Sequence, residues 1–309
     1  VSAAPLRIGL VGMGKIARDQ HLPAIAADAG LVLAATSSPN SPGVEGVPHF
    51  RTLEALLAEA EVDAVALCSS PQVRYGLAAT AIAAGKHVFL EKPPGATLSE
   101  VAALEALAGA AGVTLFASWH SRYAAGVEPA RAWLAGKRIL GGRIVWREDV
   151  RHWHPGQAWI WEAGGLGVFD PGINALSIAT RIWPRPLFLE SATLSLPANR
   201  AAPIAADLTL RDATGTAMTM DLDWRQTGTQ TWDITVETDG GMLALSSGGA
   251  VFTVPGETRH DEDREYPGLY RRFAELVEAG TSDVDIAPFR LVADAFLRGQ
   301  RETVEAFED

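Results

Sequence analysis

Residues 6–11, Leu6-Arg7-Ile8-Gly9-Leu10-Val11, form a short apolar run closed by glycine, the pattern of a buried strand. Further strands are expected at 31–38 and 62–70, at His87-Val88-Phe89-Leu90, and at 113–118. Between them lie helical patterns at 52–60 and 75–84, and another that opens on the capping box Thr97-Leu98-Ser99-Glu100 and runs to about Gly112. Strands alternating with helices of this length predict a parallel, doubly wound sheet with right-handed crossovers. The pattern changes after about residue 122. Runs with strand alternation occupy 143–151, 207–211, 217–224, 231–238 and 242–246, separated by turns such as Asp239-Gly240-Gly241. Closing helices are expected over 266–279 and 288–307. The fold class is therefore an α/β domain over 1–122, followed over 123–287 by an α+β substrate-binding and oligomerisation domain. The latter has a large, mostly antiparallel open sheet, and the helix near 288–307 is expected to pack back on the first domain.

Composition narrows the function. The 309 residues are 48% hydrophobic and 20% charged, enough for a core in each of two domains. A net charge of −11 argues against nucleic acid or an anionic membrane as partner. Cys68, the single cysteine, makes no internal disulfide and reads as a small buried hydrophobe. The first residues show no leader pattern and no run is long enough to span a bilayer, so a cytoplasmic location is expected.

Gly12-Met13-Gly14-Lys15-Ile16-Ala17 follows the first strand directly. This is G-x-G-x-x-A, a form of the dinucleotide fingerprint of the Rossmann fold. The first glycine permits the turn, the second lets backbone approach a pyrophosphate, and Ala17 lets helix and strand pack closely. Gly12, Met13, Gly14, Lys15 and Ile16 are thus expected at the cofactor. The second strand ends at Ser37-Ser38, with no Asp or Glu to hold the ribose 2′-hydroxyl of NAD and no adjoining arginine to clamp the 2′-phosphate of NADP. Both cofactors stay open. Lys92 stands at the carboxyl end of its strand, because Pro93 cannot continue a central strand, and that end is where ligands bind in open α/β sheets.

Two further stretches carry chemistry. In Phe169-Asp170-Pro171-Gly172-Ile173-Asn174, Asp170 reads as a helix N-cap with proline behind it, and Asn174 lies one turn on, on the same face. A glycine-rich lead-in brings backbone close to something. His152-Trp153-His154 with Glu148 could suggest a metal, but the spacing matches no standard site, and none is expected. Six of the nine tryptophans lie between Trp119 and Trp161. Trp153, Trp232, His120, Glu148 and His154 offer aromatic faces and polar groups.

The glycine motif, Glu91-Lys92-Pro93 and Asp170 with a polar residue four later resemble the glucose-fructose oxidoreductase and inositol dehydrogenase family over the whole chain. The longer stretches 14–23, 119–122, 151–157 and 169–174 resemble its branch of bacterial aldose 1-dehydrogenases acting on L-arabinose or D-galactose. The resemblance implies NAD- or NADP-dependent oxidation of an aldopyranose at C1 to the lactone. It places Lys92, Asp170 and Asn174 in the catalytic set, Ser69, Glu91 and Lys92 at the cofactor, and His154 at the sugar, whose C–H surfaces and hydroxyls the aromatic and polar groups of Trp153, Trp232, His120 and Glu148 suit. It implies a homo-oligomer, dimer or tetramer, built on the open sheet. Asn174 has no usable titration, so Asp170 is the better base and Lys92 its assistant. A glycosidase of the same family and a dinucleotide sensor are the other readings; a sensor needs no such catalytic set.

Overall fold

The computed structural model describes residues 4–308. The chain forms two compact units: the residues up to His120 with Tyr266–Ile286, and Ser121–Glu265 with the residues from Ala287 onward.

In the first unit, β1 (Leu6–Val11), β2 (Leu31–Ser37), β3 (His49–Phe50), β4 (Ala64–Leu67), β5 (His87–Leu90) and β6 (Leu115–Ala117) form one sheet. Its order is β3-β2-β1-β4-β5-β6, with every pair parallel. The helices are α1 (Leu22–Ala26), entered through the π-helical turn Ala17–His21, then α2 (Leu53–Glu59), α3 (Pro71–Ala83) and α4 (Leu98–Ala111). β4 is buried along its whole length, as a strand covered on both faces must be. Thr52 and Thr97 cap α2 and α4, accepting from the N–H groups of Ala55 and Glu100. α3 starts earlier than the alanine run suggests, because Pro71 is pre-set for the first helical turn. Strand order reverses between β1 and β4, and the crevice at their carboxyl ends is the usual ligand position of such sheets.

The second unit contains α5 (Val127–Leu134), β7 (Ile139–Arg147), α6 (Val150–Trp153) and α7 (Phe169–Ile182). These are followed by β8 (Leu187–Pro197), β9 (Ala205–Asp212), β10 (Ala217–Asp223), β11 (Thr231–Thr238), β12 (Gly241–Ser246), β13 (Val251–Val254) and β14 (Glu257–His260). The strand expected over 143–151 starts and ends earlier. It stops at Arg147, and Asp149 accepts from the N–H of Arg151 to cap α6. His152 and His154 therefore lie in and after a helical turn, so strand alternation does not set the direction of His154.

The C-terminal return differs from expectation. α8 (Glu265–Ala279) supplies the first unit: Tyr270 stacks on Phe89 at 5.1 Å, and Phe273 meets Phe89 edge-on at 5.6 Å. Such ring pairs contribute about 0.5–1.5 kcal/mol beyond their burial. α9 (Ala287–Arg298) lies in the second unit instead, with Phe296 against Phe169 of α7 at 5.4 Å. The helix expected to reach 307 ends at Arg298, and β15 (Gln300–Val304) pairs parallel with β8. The full order is β14-β13-β12-β11-β7-β10-β9-β8-β15, antiparallel except at β7–β10 and β8–β15. Among the described residues, no helix is long and apolar enough to cross a membrane.

Candidate active site

In the first unit the glycine turn is built as its sequence requires. Gly12 has φ +91°, and a Cβ there would come within 2.9 Å of the Ser69 backbone nitrogen and 3.0 Å of the Cys68 carbonyl carbon. Only glycine fits both the conformation and the space. Gly12 N–H donates to the Ser37 carbonyl, which ties the turn to the end of β2. The hydroxyl of Ser69, at the same crevice, is buried and has no protein partner. A Cβ on Gly14 would meet no protein atom, so packing inside the unit does not require its smallness. A bare backbone approach and an unpaired buried donor fit a dinucleotide pyrophosphate, which Gly12, Gly14 and Ser69 would hold.

The other expected cofactor residues divide. Met13 is core, so only its backbone is offered to a ligand, whereas Ile16 and Lys15 are exposed and Lys15 pairs with Asp19. Ser38 uses its hydroxyl locally, accepting from Ser41 N–H at 3.3 Å. Arginines do adjoin this loop, through the fold rather than the sequence. Arg51 donates to the Pro39 carbonyl at 3.0 Å, and Arg18 to that of Pro42 at 2.5 Å.

The Glu91 carboxylate turns into the interior. It is 3% exposed; Oε1 lies 3.0 Å from His21 Nε2 and accepts from the Tyr266 hydroxyl at 2.7 Å. Oε2 accepts from the Lys92 backbone N–H at 2.7 Å. Burial alone would raise the Glu91 pKa. The hydrogen bond and charge of His21, the charge of His120 and the Tyr266 hydroxyl outweigh it and hold the carboxyl at about 2. Burial opposes charge on His21 in turn, yet Cys68, Tyr270 and Glu91 raise its pKa well above the ordinary histidine value. On the other side of the Lys92 loop, buried Arg74 of α3 donates to the carbonyls of Glu91, Pro93 and Ser69. His120 stacks on Tyr266 at 5.5 Å. Sequence reasoning gave no role to Arg74, Tyr266 or Tyr270. Arginine and tyrosine inside helical runs read as amphipathic surface until the helices are docked.

The second unit gathers the other group. β7 and β10 run parallel and end together, so Glu148 and Trp224 emerge side by side where β11 begins. Glu148 is buried, and its carboxylate accepts from the indole N–H groups of Trp232 at 2.8 Å and Trp224 at 3.2 Å. His154 Nε2 stands 3.7 Å from Glu148 Oε1 and 3.7 Å from Asp170 Oδ2. His154 Nδ1 is buried without a protein partner. Trp153 and Trp232 face each other with ring centres 5.2 Å apart. Asp170 is the second residue of α7, not its cap; Val168 holds the cap position, and the buried Asp170 side chain lies inside the first turn. Asn174 follows one turn later and is half-buried. The glycine lead-in approaches protein backbone: Gly167 has φ +53°, and a Cβ there would meet the Pro203 carbonyl oxygen at 2.3 Å. Glu148, Trp153, His154, Asp170 and Trp232 thus converge, whereas Lys92 and His120 belong to the first unit.

One unit with a Rossmann sheet and a bare glycine turn, and another where carboxylates and imidazole meet indole faces, fit a nicotinamide-dependent oxidoreductase of sugars. Residues 6–118 match the GFO/IDH/MocA oxidoreductase family with an NAD-binding Rossmann fold. Over 307 residues the chain is 45% identical to galactose 1-dehydrogenase of Pseudomonas fluorescens, covering 99% of both chains. The chain belongs to this family. The crystal structure of D-galactose-1-dehydrogenase from Rhizobium etli superposes with TM-score 0.96 at 58% identity, covering 100% of this chain and 99% of that one. KijD10, a 3-ketoreductase from Actinomadura kijaniata solved with TDP-benzene and NADP, shares the fold at TM-score 0.83 and 18% identity, covering 97% and 99%.

Proposed function

We propose that the chain oxidises an aldopyranose, D-galactose or L-arabinose, at C1 to the aldonolactone. The observation that carries the reading is the meeting of Asp170, His154 and Glu148, with both His154 separations at 3.7 Å, beside the indoles of Trp153 and Trp232. These are acceptors for sugar hydroxyls next to faces for sugar C–H surfaces. The two galactose dehydrogenases among the relatives support the same substrate class.

The bound nicotinamide supplies the acceptor for the C1 hydride. Asp170 takes the C1 hydroxyl proton, and Lys92 hydrogen-bonds that hydroxyl and stabilises oxyanion character as the proton leaves. Glu148, locked by two indoles, and His154 orient the ring hydroxyls, and Asn174 adds a neutral hydrogen-bonding group. Ser37 and Ser38 carry no charge that repels a 2′-phosphate, and Arg18 and Arg51 flank the loop beyond them, which supports use of NADP as well as NAD. Incubation with a panel of aldoses and either cofactor should give sugar-dependent absorbance of the reduced nicotinamide. Folded protein that reduces neither cofactor with any aldose would sink the reading.

A dimer or tetramer goes with this function. The sheet face opposite buried Ile144, Met220 and Leu208 presents Arg143, Asp221, Asp207 and Thr209, a mixture of both charges suited to a second copy. A monomer mass by light scattering at micromolar concentration would remove that part.

A further inference from the structure

His21 closes the π-helical turn Ala17–His21 and is fully buried. π-Turns place side chains that a regular α-helix would direct elsewhere, often at functional sites. Here the imidazole joins two elements remote in sequence. Its Nδ1 lies 2.8 Å from the Tyr270 hydroxyl of α8, and its Nε2 lies 3.0 Å from Glu91 Oε1. Three aromatic rings surround it edge-on: Phe89 at 5.5 Å, Tyr266 at 5.0 Å and Tyr270 at 5.7 Å. This is an expensive way to stabilise a core. A buried ion pair is often no better than well-packed apolar residues, because desolvation offsets its attraction. One hydrogen-bonded path runs from Tyr270 to His21 to Glu91 Oε1, and from Glu91 Oε2 to the backbone N–H of Lys92.

We propose that His21, itself fixed by Tyr270, is a positioning residue for Lys92. It holds the Glu91 carboxylate in the orientation that binds the Lys92 N–H, and so sets the direction in which the Lys92 side chain leaves the end of β5. The inference rests on the role given to Lys92 above. Tyr266 works on the same carboxylate, and Arg74 fixes the carbonyls on either side of Lys92. The arrangement also accounts for the buried face of α8, whose Tyr266 and Tyr270 are 4% and 0% exposed and reach this pair.

The test uses the whole protein and reads turnover, cofactor affinity and Lys92 itself. His21→Gln keeps a donor near the Nε2 position and so keeps the bond to Glu91. His21→Asn reaches only the Nδ1 position, and His21→Leu keeps neither. Misplacing a reacting group by about 1 Å can cost on the order of a hundredfold in rate, so kcat should fall at least about tenfold in His21→Leu and His21→Asn. His21→Gln should recover most of it. The Kd for NAD, read by tryptophan fluorescence, should stay within about threefold, because the glycine turn and not His21 holds the pyrophosphate. The rate at which an amine reagent labels Lys92, followed by peptide mass spectrometry, should change in His21→Leu and return towards wild type in His21→Gln. Tyr270→Phe removes one oxygen from a buried ring; it should lower kcat severalfold and decides the matter if His21→Leu does not fold.

Folded variants with wild-type kcat and wild-type Lys92 labelling would overturn the proposal. So would equal losses in His21→Gln and His21→Leu, since the Glu91 bond would then not be what counts. A loss of NAD affinity in His21→Leu parallel to the loss of kcat and absent from Lys92→Met would overturn it too, by placing His21 in support of the glycine turn. Lys92→Met, assayed alongside, separates the two claims. Full activity in that variant removes the catalytic role of Lys92, whereas an inactive Lys92→Met beside a fully active, folded His21→Leu removes only the positioning role.

Discussion

Asp170 shows how far a single residue can be read before its surroundings are known. Asp-Pro at a helix start suggests a cap, and a capping carboxylate faces the helix N-terminal N–H groups. The chain enters α7 two residues sooner, through Leu166-Gly167-Val168, because Gly167 turns tightly against Pro203 and Val168 N–H bonds the Pro203 carbonyl. Asp170 is then carried inside the first turn and turned towards His154. Replacing it with asparagine keeps shape and hydrogen bonding but removes proton acceptance. Loss of a general base costs about two to four orders of magnitude in rate, so Asp170→Asn should lower kcat by that factor with cofactor affinity kept. The limb of the pH–rate profile that rises with pH should vanish in the variant. If it persists there and vanishes in Lys92→Met, a neutral Lys92 is the base.

At the scale of elements, Asp212 decides how β9 meets the end of α7. Its carboxylate accepts from the Trp183 indole at 3.0 Å and Arg185 Nε at 2.7 Å, and from Thr214 N–H and hydroxyl at 2.9 and 2.7 Å. Burial would raise its pKa, and the bonds from Thr214, Trp183 and Arg185 hold it well below the usual carboxylate range instead. Removing one partner of a buried pair costs about 3–5 kcal/mol, and the part-exposed Arg185 keeps some water, so Asp212→Ala should cost about 3 kcal/mol in urea unfolding. A change below about 1 kcal/mol would mean that the site relaxes without this carboxylate. The C-terminal strand belongs to the same scale. Gln300-Arg301-Glu302-Thr303-Val304 shows no alternation of apolar and polar residues because β15 is an exposed edge, held by its backbone bonds to β8.

For the whole molecule, buried and paired carboxylates set the acid limit of stability. Glu91 is held at about 2 in the fold against an ordinary 4.5, and Asp212 and Asp63 are lowered as well, the latter by its hydrogen bonds to Arg7. A depressed carboxylate pKa means that the unfolded chain binds more protons as pH falls. The stabilisation is therefore complete above about pH 4.5 and lost progressively towards pH 2. His21 has the opposite sign: its raised pKa stabilises below the ordinary histidine range, and that contribution disappears as pH rises through the folded value. Glu91→Gln should be less stable than wild type at neutral pH and should lose less on acidification, measured as urea midpoint against pH. Parallel curves for the two proteins would mean that Glu91 is not held ionised.

The local rules of the chain were enough for the first sheet and its glycine turn. Period-two and period-3.6 patterns, capping threonines and the steric needs of Gly12 are each satisfied within a few residues, so they can be read without a fold. The residue types of the second site were legible through the family resemblance: the sugar it implies suits carboxylate, imidazole and indole groups. Their convergence was not legible. Glu148, His154, Asp170 and Trp232 come from four elements, brought together by the parallel pairing of β7 with β10 and the docking of α7. Tertiary structure alone also decided which closing helix serves which unit, since α8 and α9 are both amphipathic and differ only in the surface each fits. It placed arginines beside the Ser37-Ser38 loop, and it turned the Glu91 carboxylate into the interior, into a buried pair with His21. Long-range hydrogen bonds and burial are properties of the packed chain, and no local window of sequence contains them.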